Sequence, residues 1–258
     1  MDDKNYKYIY GPVPSWRLGS SLGIDPLSQG KKICTFDCVY CQIGKTGVLT
    51  DKRDEFVRVD DIASEIDSLP RLKIDYITFS GRGEPTLAKN LGQMIKKLKK
   101  IRNEKIAVLT NSSLMHRKEV QDDLSRSDFV VAKLDASSEN VFHLVNKPVS
   151  TVKIDTVIKA IKDFKRYYSG KLALQIMFME GNKKQAKEIA EIAREIKPDE
   201  VQLNTPLRPC GAKPLTRSEM DSVKKHFSGL NIVSVYDAGK KNVRPISSEE
   251  TLKRRGKI

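Results

Sequence analysis

Cys34-Thr35-Phe36-Asp37-Cys38-Val39-Tyr40-Cys41 sets three cysteines at C-x3-C-x2-C spacing, and Cys210 is the remaining cysteine of a 258-residue chain. Three thiolates this close in sequence can wrap one compact inorganic centre. A 4Fe-4S cube held by three cysteines leaves one iron open to a substrate or cofactor. Zinc is the competing metal, but its structural sites take four closed ligands, usually as two separated pairs. No second Cys/His pair follows, and His116, His143 and His226 stand singly. The chain opens Met-Asp-Asp-Lys without an apolar signal segment, which points to a cytoplasmic protein with reduced thiols rather than a disulfide framework.

Outward from this loop, short apolar β-branched runs alternate with amphipathic segments, the pattern of βα units building a parallel sheet. The expected strands cover residues 21–25, 76–80, 106–110, 129–134, 172–177 and 200–204. The expected helices cover 59–69, 91–102, 117–126, 153–168, 183–196 and 217–227. Such units predict an α/β fold, a partial (βα)6 TIM-like barrel, with catalytic groups at the C-terminal ends of the strands. Polar or Gly-rich segments occur at those ends, at 34–41, 80–84, 110–113, 133–135 and 204–208. The barrel with its lead-in is expected over 1–228, and a C-terminal strand with a basic tail over 229–258.

Lys and Arg number 47 against 33 Asp and Glu, a formal net charge of +14. The mean hydropathy is −0.45, and no stretch approaches the roughly 18–20 apolar residues of a membrane span. This field favours polyanionic partners, nucleic acid among them, and an acidic electron donor as well. The basic run at 96–102 reads as the solvated back of an amphipathic helix, because Leu91, Met94, Ile95, Leu98 and Ile101 fall at helical spacing. The tail from Lys240 to Lys257 need not cover a core and is the better candidate for phosphate contact.

A second motif, Thr78-Phe79-Ser80-Gly81-Arg82-Gly83-Glu84-Pro85-Thr86, follows the second expected strand. Glycines there permit close backbone approach to a ligand, and Glu84 can hold an ammonium group. The cysteine spacing, with aromatic Tyr40 before the third cysteine, resembles the radical S-adenosylmethionine (SAM) superfamily. That resemblance implies that Cys34, Cys38 and Cys41 hold a 4Fe-4S cluster whose free iron chelates SAM. The reduced cluster would cleave SAM to methionine and a 5'-deoxyadenosyl radical that abstracts hydrogen. Tyr40 would contact adenine, and Gly81, Gly83 and Glu84 look like the family's segment for the SAM amino group. Asn111, Lys133 and Asp135 end the third and fourth strands, where the family places contacts to the SAM carboxylate and ribose. Lys133 can pair with a carboxylate and Asp135 can accept from ribose hydroxyls. Met177, Phe178 and Met179 read as core before a lining for adenine, and Arg208 equally as an anchor for an anionic substrate or as a cap on the barrel.

The lead-in Tyr10-Gly11-Pro12-Val13-Pro14-Ser15-Trp16-Arg17-Leu18-Gly19 resembles a group of radical SAM proteins related to wyosine-tRNA synthases, as do residues 134–136 and 204–209. This implies tRNA-modifying chemistry, with tRNA as a partner and flavodoxin or ferredoxin as reductant. Wyosine synthases carry extra cysteines for a second cluster, whereas this chain adds only Cys210, so the guanosine reaction does not transfer with the fold. Cys210 reads as a buried thiol or, at the barrel mouth, as a hydrogen donor. Other readings are a glycyl-radical-enzyme activase, marked by a stable radical on a partner protein, and a non-enzymatic iron-sulfur protein that binds no SAM. The oligomeric state is not legible.

Overall fold

The computed structural model describes residues 6–239 and 241–256. Strands β1 (Ile9–Ser15) and β2 (Gly19–Ile24) form an antiparallel hairpin. The loop that follows carries the cysteines and two short paired strands, β3 (Ile33–Cys34) and β4 (Val48–Leu49). Helix α1 (Val59–Asp67) leads to β5 (Tyr76–Phe79), α2 (Leu91–Ile101) to β6 (Lys105–Thr110), and α3 (Lys118–Leu124) to β7 (Phe129–Lys133). Helices α4 (Glu139–Val145) and α5 (Ile154–Lys165) precede β8 (Lys171–Met177). Helix α6 (Ala186–Ile196) precedes β9 (Glu200–Asn204), α7 (Arg217–Lys225) precedes β10 (Ile232–Ser234), and α8 (Ser248–Arg255) follows.

The main sheet runs β1-β2-β5-β6-β7-β8-β9-β10, parallel from β2 onward. Its two edges, β1 and β10, are not paired with each other, so the sheet curls into an open half-barrel of the expected α/β type. Period-two alternation sorts the strands. In β6 to β9, Ile106, Val108, Val130, Ala132, Leu172, Leu174, Ile176, Val201 and Leu203 join the large core shared with the helices. The intervening Ala107, Phe129, Val131 and Ala173 face the other way and, with Leu18, form a small apolar cluster. Further along the same faces, Lys133, Gln175, Met177 and Asn204 line a cavity. The apolar cluster thus lies toward the strand starts and the polar cavity toward their C-terminal ends.

Each of the expected strands and helices appears within a few residues of its expected position. Strand β1 and helix α4 were not foreseen. The basic tail differs more: residues 248–255 are the helix α8, packed on β1, and Lys240 and Lys257 lie outside the described residues. The Gly11 amide donates to Thr251 Oγ1 at 3.0 Å and the Ile246 amide to the Gly11 carbonyl at 2.6 Å. Arg254 is buried, donating to the Glu250 carboxylate and the Lys7 carbonyl, with Nε 3.5 Å from Asp25 Oδ2. Lys241 and Lys253 are likewise paired, with Asp75 and with Glu249 and Glu250. Much of the basic charge expected to be free for phosphate is therefore spent within the fold.

Burial raises the Asp25 carboxyl above its usual range, with Arg254 and three backbone amides opposing the rise. Arg254→Ala leaves Asp25 buried without its cation and Glu250 with Lys253 alone, and is expected to cost about 3–5 kcal/mol of stability by urea unfolding. A loss below about 1 kcal/mol, the range of an exposed pair, would show that Arg254 is no anchor.

Candidate functional site

A cavity of about 520 Å³ opens at the C-terminal ends of the strands. Cys34, Cys38 and Cys41 line it together with Lys32, Tyr40, Gly81, Gly83, Glu84, Asn111 and Lys133, so all but one of the expected site residues share the cavity. The loop that brings the cysteines here is pinned at both ends. Ile33 donates its amide to the Arg82 carbonyl at 3.3 Å and accepts from the Glu84 amide at 3.2 Å. The Val39 amide donates to the Val145 carbonyl at 3.0 Å, and the Asp37 amide to the Asn146 carbonyl at 3.1 Å, both at the end of α4.

The glycines of the second motif answer to this approach. A Cβ on Gly83 would stand 1.8 Å from the Ile33 carbonyl oxygen. Gly81 has φ +135° and packs against the Asp25 carboxylate, where a Cβ would come within 2.6 Å. Arg82, between them, points away and donates to the carbonyls of Gln29 at 3.1 Å and Gly30 at 2.8 Å. The interruption of the glycine pair therefore keeps a guanidinium out of the cavity.

Each sulfur has its own nitrogen donor. Asn111 Nδ2 lies 3.6 Å from Cys34 Sγ, Asn146 Nδ2 lies 3.6 Å from Cys38 Sγ, and Lys32 Nζ lies 3.1 Å from Cys41 Sγ. Lys32 is a buried ammonium whose other partner is the Gly44 carbonyl, at 2.9 Å. Burial alone would lower it, but the three nearby sulfurs carry it above the ordinary lysine value. Burial pushes the Cys34 thiol well up, with Cys38 and Glu84 adding to it, and pushes Cys38 up to about 11. A metal centre here must therefore displace protons as it binds. Among the described residues no three His, Cys, Asp or Glu side chains converge on a single-ion site. A cube takes one cysteine per iron, so sulfurs spread around a volume, each with an N–H donor, fit such a cluster.

Glu84 is buried and heavily engaged. Its Oε1 accepts from Thr86 Oγ1 at 2.7 Å, the Thr86 amide at 3.1 Å and Thr110 Oγ1 at 2.6 Å, while Oε2 accepts from the Asn111 amide at 2.7 Å. Burial raises its pKa despite these bonds. The carboxylate clamps the end of β5 to the end of β6 while its residue still lines the cavity.

Asp135 is the expected site residue that does not line the cavity; its side chain is 1% exposed. Its carboxylate accepts from the Tyr40 hydroxyl, from Asn146 Nδ2 at 2.8 Å and from the Met177 amide at 2.8 Å, and Lys133 Nζ lies 3.6 Å away. Fully engaged, it has no free lone pair turned to a ribose. It fixes Tyr40 instead, over whose ring Lys133 Nζ lies at 4.7 Å. Burial and the Asp135 charge raise the Tyr40 phenol well above its ordinary value, so it stays protonated. Met177 lines the cavity rather than the core, and Phe178 and Met179 are buried. Cys210 packs with Tyr40, Cys38, Val39, Val145 and Met179 and donates to the Ala212 carbonyl at 3.3 Å, outside the cavity lining. Lys32, Asn146 and Gln175 were not anticipated, because nothing in their local sequence marks them.

The sequence pattern of the Radical SAM superfamily matches residues 31–199, more than half the chain. A UPF0026 protein of Synechocystis sp. is 39% identical over 81% of this chain and 78% of its own length. A Brachyspira hyodysenteriae protein described as GTPase Obg is 34% identical over 95% of this chain, which spans only 38% of that protein. Streptococcus suis SuiB bound to S-adenosylmethionine shares the fold, with a TM-score of 0.62 at 17% identity, covering 84% of this chain and 50% of that one.

Gly83→Ala must push the cysteine loop off the β5 loop, since the Cβ meets backbone rather than a flexible side chain. Cys34, 8% exposed, is expected to react with a thiol reagent at least about tenfold faster in this variant, a change of about 1.4 kcal/mol in local opening. An unchanged labelling rate would mean that the two loops are not held together here.

Proposed function

The chain belongs to the radical SAM superfamily, and on that premise we propose that it is an enzyme that carries a 4Fe-4S cluster on Cys34, Cys38 and Cys41 and binds SAM beside it. When bound, the reduced cluster supplies an electron that splits SAM into methionine and a 5'-deoxyadenosyl radical able to take a hydrogen atom from the substrate. The observation that carries this reading is the cysteine wall, with three sulfurs facing one cavity and a separate N–H donor on each.

The chain's own residues do the positioning. Tyr40, locked by Asp135 and Asn146, presents a fixed ring for adenine. Gly81 and Gly83 bring backbone to the cavity edge, and Glu84 Oε2, whose one hydrogen-bond donor among the described residues is the Asn111 amide, offers its remaining lone pair to the SAM ammonium. Lys133, which lines the cavity, would pair with the SAM carboxylate, and Asp135 would act through Tyr40 and Lys133 as a positioning residue. Asn111 ties Cys34 to this segment through Thr35 Oγ1, at 2.7 Å.

For the substrate we favour a tRNA base. The lead-in 10–19 and the segment 204–209, whose resemblance to wyosine-related proteins suggests it, both contribute to the cavity wall. The net charge of +14 suits tRNA and equally an acidic flavodoxin or ferredoxin as reductant. Among the described residues no helix is long and apolar enough to cross a membrane.

Anaerobically reconstituted protein given dithionite and SAM is expected to form 5'-deoxyadenosine, measured by mass spectrometry, with a higher yield when bulk tRNA is added. Cys38→Ala is expected to lose the cluster and the product together; product from that variant would overturn the assignment, and indifference to tRNA would remove the substrate reading alone.

Lys32 leads to a further expectation. A positive charge and an N–H donor beside a ligand sulfur favour the more negative, reduced cluster. Lys32→Met is expected to lower the midpoint potential in a redox titration followed by electron paramagnetic resonance. An unchanged or higher potential would show that Lys32 only supports the Gly44 turn.

A further inference from the structure

The cavity lining also holds charges that SAM binding does not use. Arg17, in the turn between β1 and β2, Arg208, in the loop after β9, and Arg255, at the end of α8, line it beside Trp16. Among the described residues none of these guanidiniums has a carboxylate partner; the ionisable groups acting on them are one another and Tyr10. Two are fixed by backbone. Arg208 Nη1 donates to the Arg255 carbonyl at 2.8 Å, and Arg255 Nη2 donates to the Pro14 carbonyl at 3.2 Å. Arg17 makes no guanidinium hydrogen bond among the described residues; its Nε is buried and unpartnered, and its guanidinium lies 5.0 Å from the Trp16 ring centroid.

Gathering like charges in one wall without a counter-ion is unfavourable, and a buried unsatisfied donor adds to the cost. Burial and mutual repulsion lower Arg17 to about 10, and burial with repulsion from Arg208 lowers Arg255 to about 10, so both remain cationic at neutral pH. An oxyanion seated among them supplies the missing acceptor and the missing charge. A phosphate suits the set better than a carboxylate, because it carries more charge and enough oxygens to serve several guanidiniums.

We propose that Arg17, Arg208 and Arg255 form the binding site for a phosphate group of the substrate, in the same cavity that the cysteines line. This rests on the proposed function in taking the phosphate to belong to the molecule that gives up hydrogen. The substrate class is then a nucleotide or a nucleic-acid strand, anchored by phosphate with its reacting part turned inward.

The test is calorimetric titration of the anaerobically reconstituted protein, at one fixed salt concentration, with uridine 5'-monophosphate, uridine and a short single-stranded oligouridylate. Uridine 5'-monophosphate is expected to bind saturably and uridine not to bind. Arg17→Gln is expected to weaken the nucleotide about tenfold or more, the usual consequence of losing a charge-assisted contact. Arg17→Lys, which keeps the charge and loses the fork, is expected to fall between the two. Lys96→Gln with Lys100→Gln, on the exposed face of α2, is expected to change nothing.

Tighter, Arg17-dependent binding of the oligonucleotide assigns the phosphate to a strand; preference for the mononucleotide assigns it to a free nucleotide. No saturable binding of either, equal binding by uridine, or full affinity in Arg17→Gln would overturn the site. So would equal loss in the α2 variant, which would mark nonspecific attraction. Because Arg17 ties no backbone, its variants are expected to melt as the unaltered protein does. A parallel SAM titration separates the two readings, since failure to bind SAM defeats the proposed function and leaves the phosphate result standing.

Discussion

The contact of Ile33 with Gly83 fixes the rest of the site. Two backbone hydrogen bonds join the cysteine loop to the loop after β5, and they form only because no Cβ stands between them. This contact settles the height of Cys34 above the barrel and places Glu84 where it can clamp β5 to β6. The end of α4 holds the other side of the loop, through Val145 and Asn146. The cysteines are thus suspended between two rigid parts of the half-barrel, on a segment with almost no regular structure of its own.

Asn146 and Asp135 show how the positions reinforce one another. One amide group reaches Cys38 Sγ, the Tyr40 hydroxyl and the Asp135 carboxylate, so the sulfur, the aromatic ring and the strand end share a network. Asp135 is deeply buried and its oxygens all have donors, whereas Oδ1 of Asn146 is buried without a partner among the described residues, so the network is satisfied at the carboxylate and incomplete at the amide. The ring face of Tyr40 is left to the cavity and its polar end is hidden.

Sequence reading recovered what is written locally and missed what only folding brings together. The parallel strands were legible because Val130-Val131 and Leu172-Ala173-Leu174 are apolar runs of strand length. Strand β1 was not, since Gly11, Pro12 and Pro14 punctuate it as a loop would, and an edge strand tolerates them. Helix α4 is seven residues long, too short for a periodic signal. Helix α8 reads Ser-Glu-Glu-Thr-Leu-Lys-Arg-Arg without an apolar face, and is held by the buried Arg254 instead. At the site, Cys34, Cys38, Cys41 and Glu84 stood out by spacing and motif. Lys32 and Asn146 did not, because their meaning lies in sulfurs met through space, and Asp135 was placed at the right strand end but on the wrong side of the wall.

The open side of the half-barrel has a consequence of its own. Strands β1 and β10 leave a gap in the sheet, and Arg208, Arg255 and Pro14 join its two banks by a pair of guanidinium-to-carbonyl bonds. A backbone ladder there would part only as the strands unfolded. A stitch made by side chains can be let out and drawn in again while every strand keeps its neighbours. Contact across the gap therefore depends on side-chain rotamers, and its loss would leave untouched the strand pairing that holds the sulfurs in place.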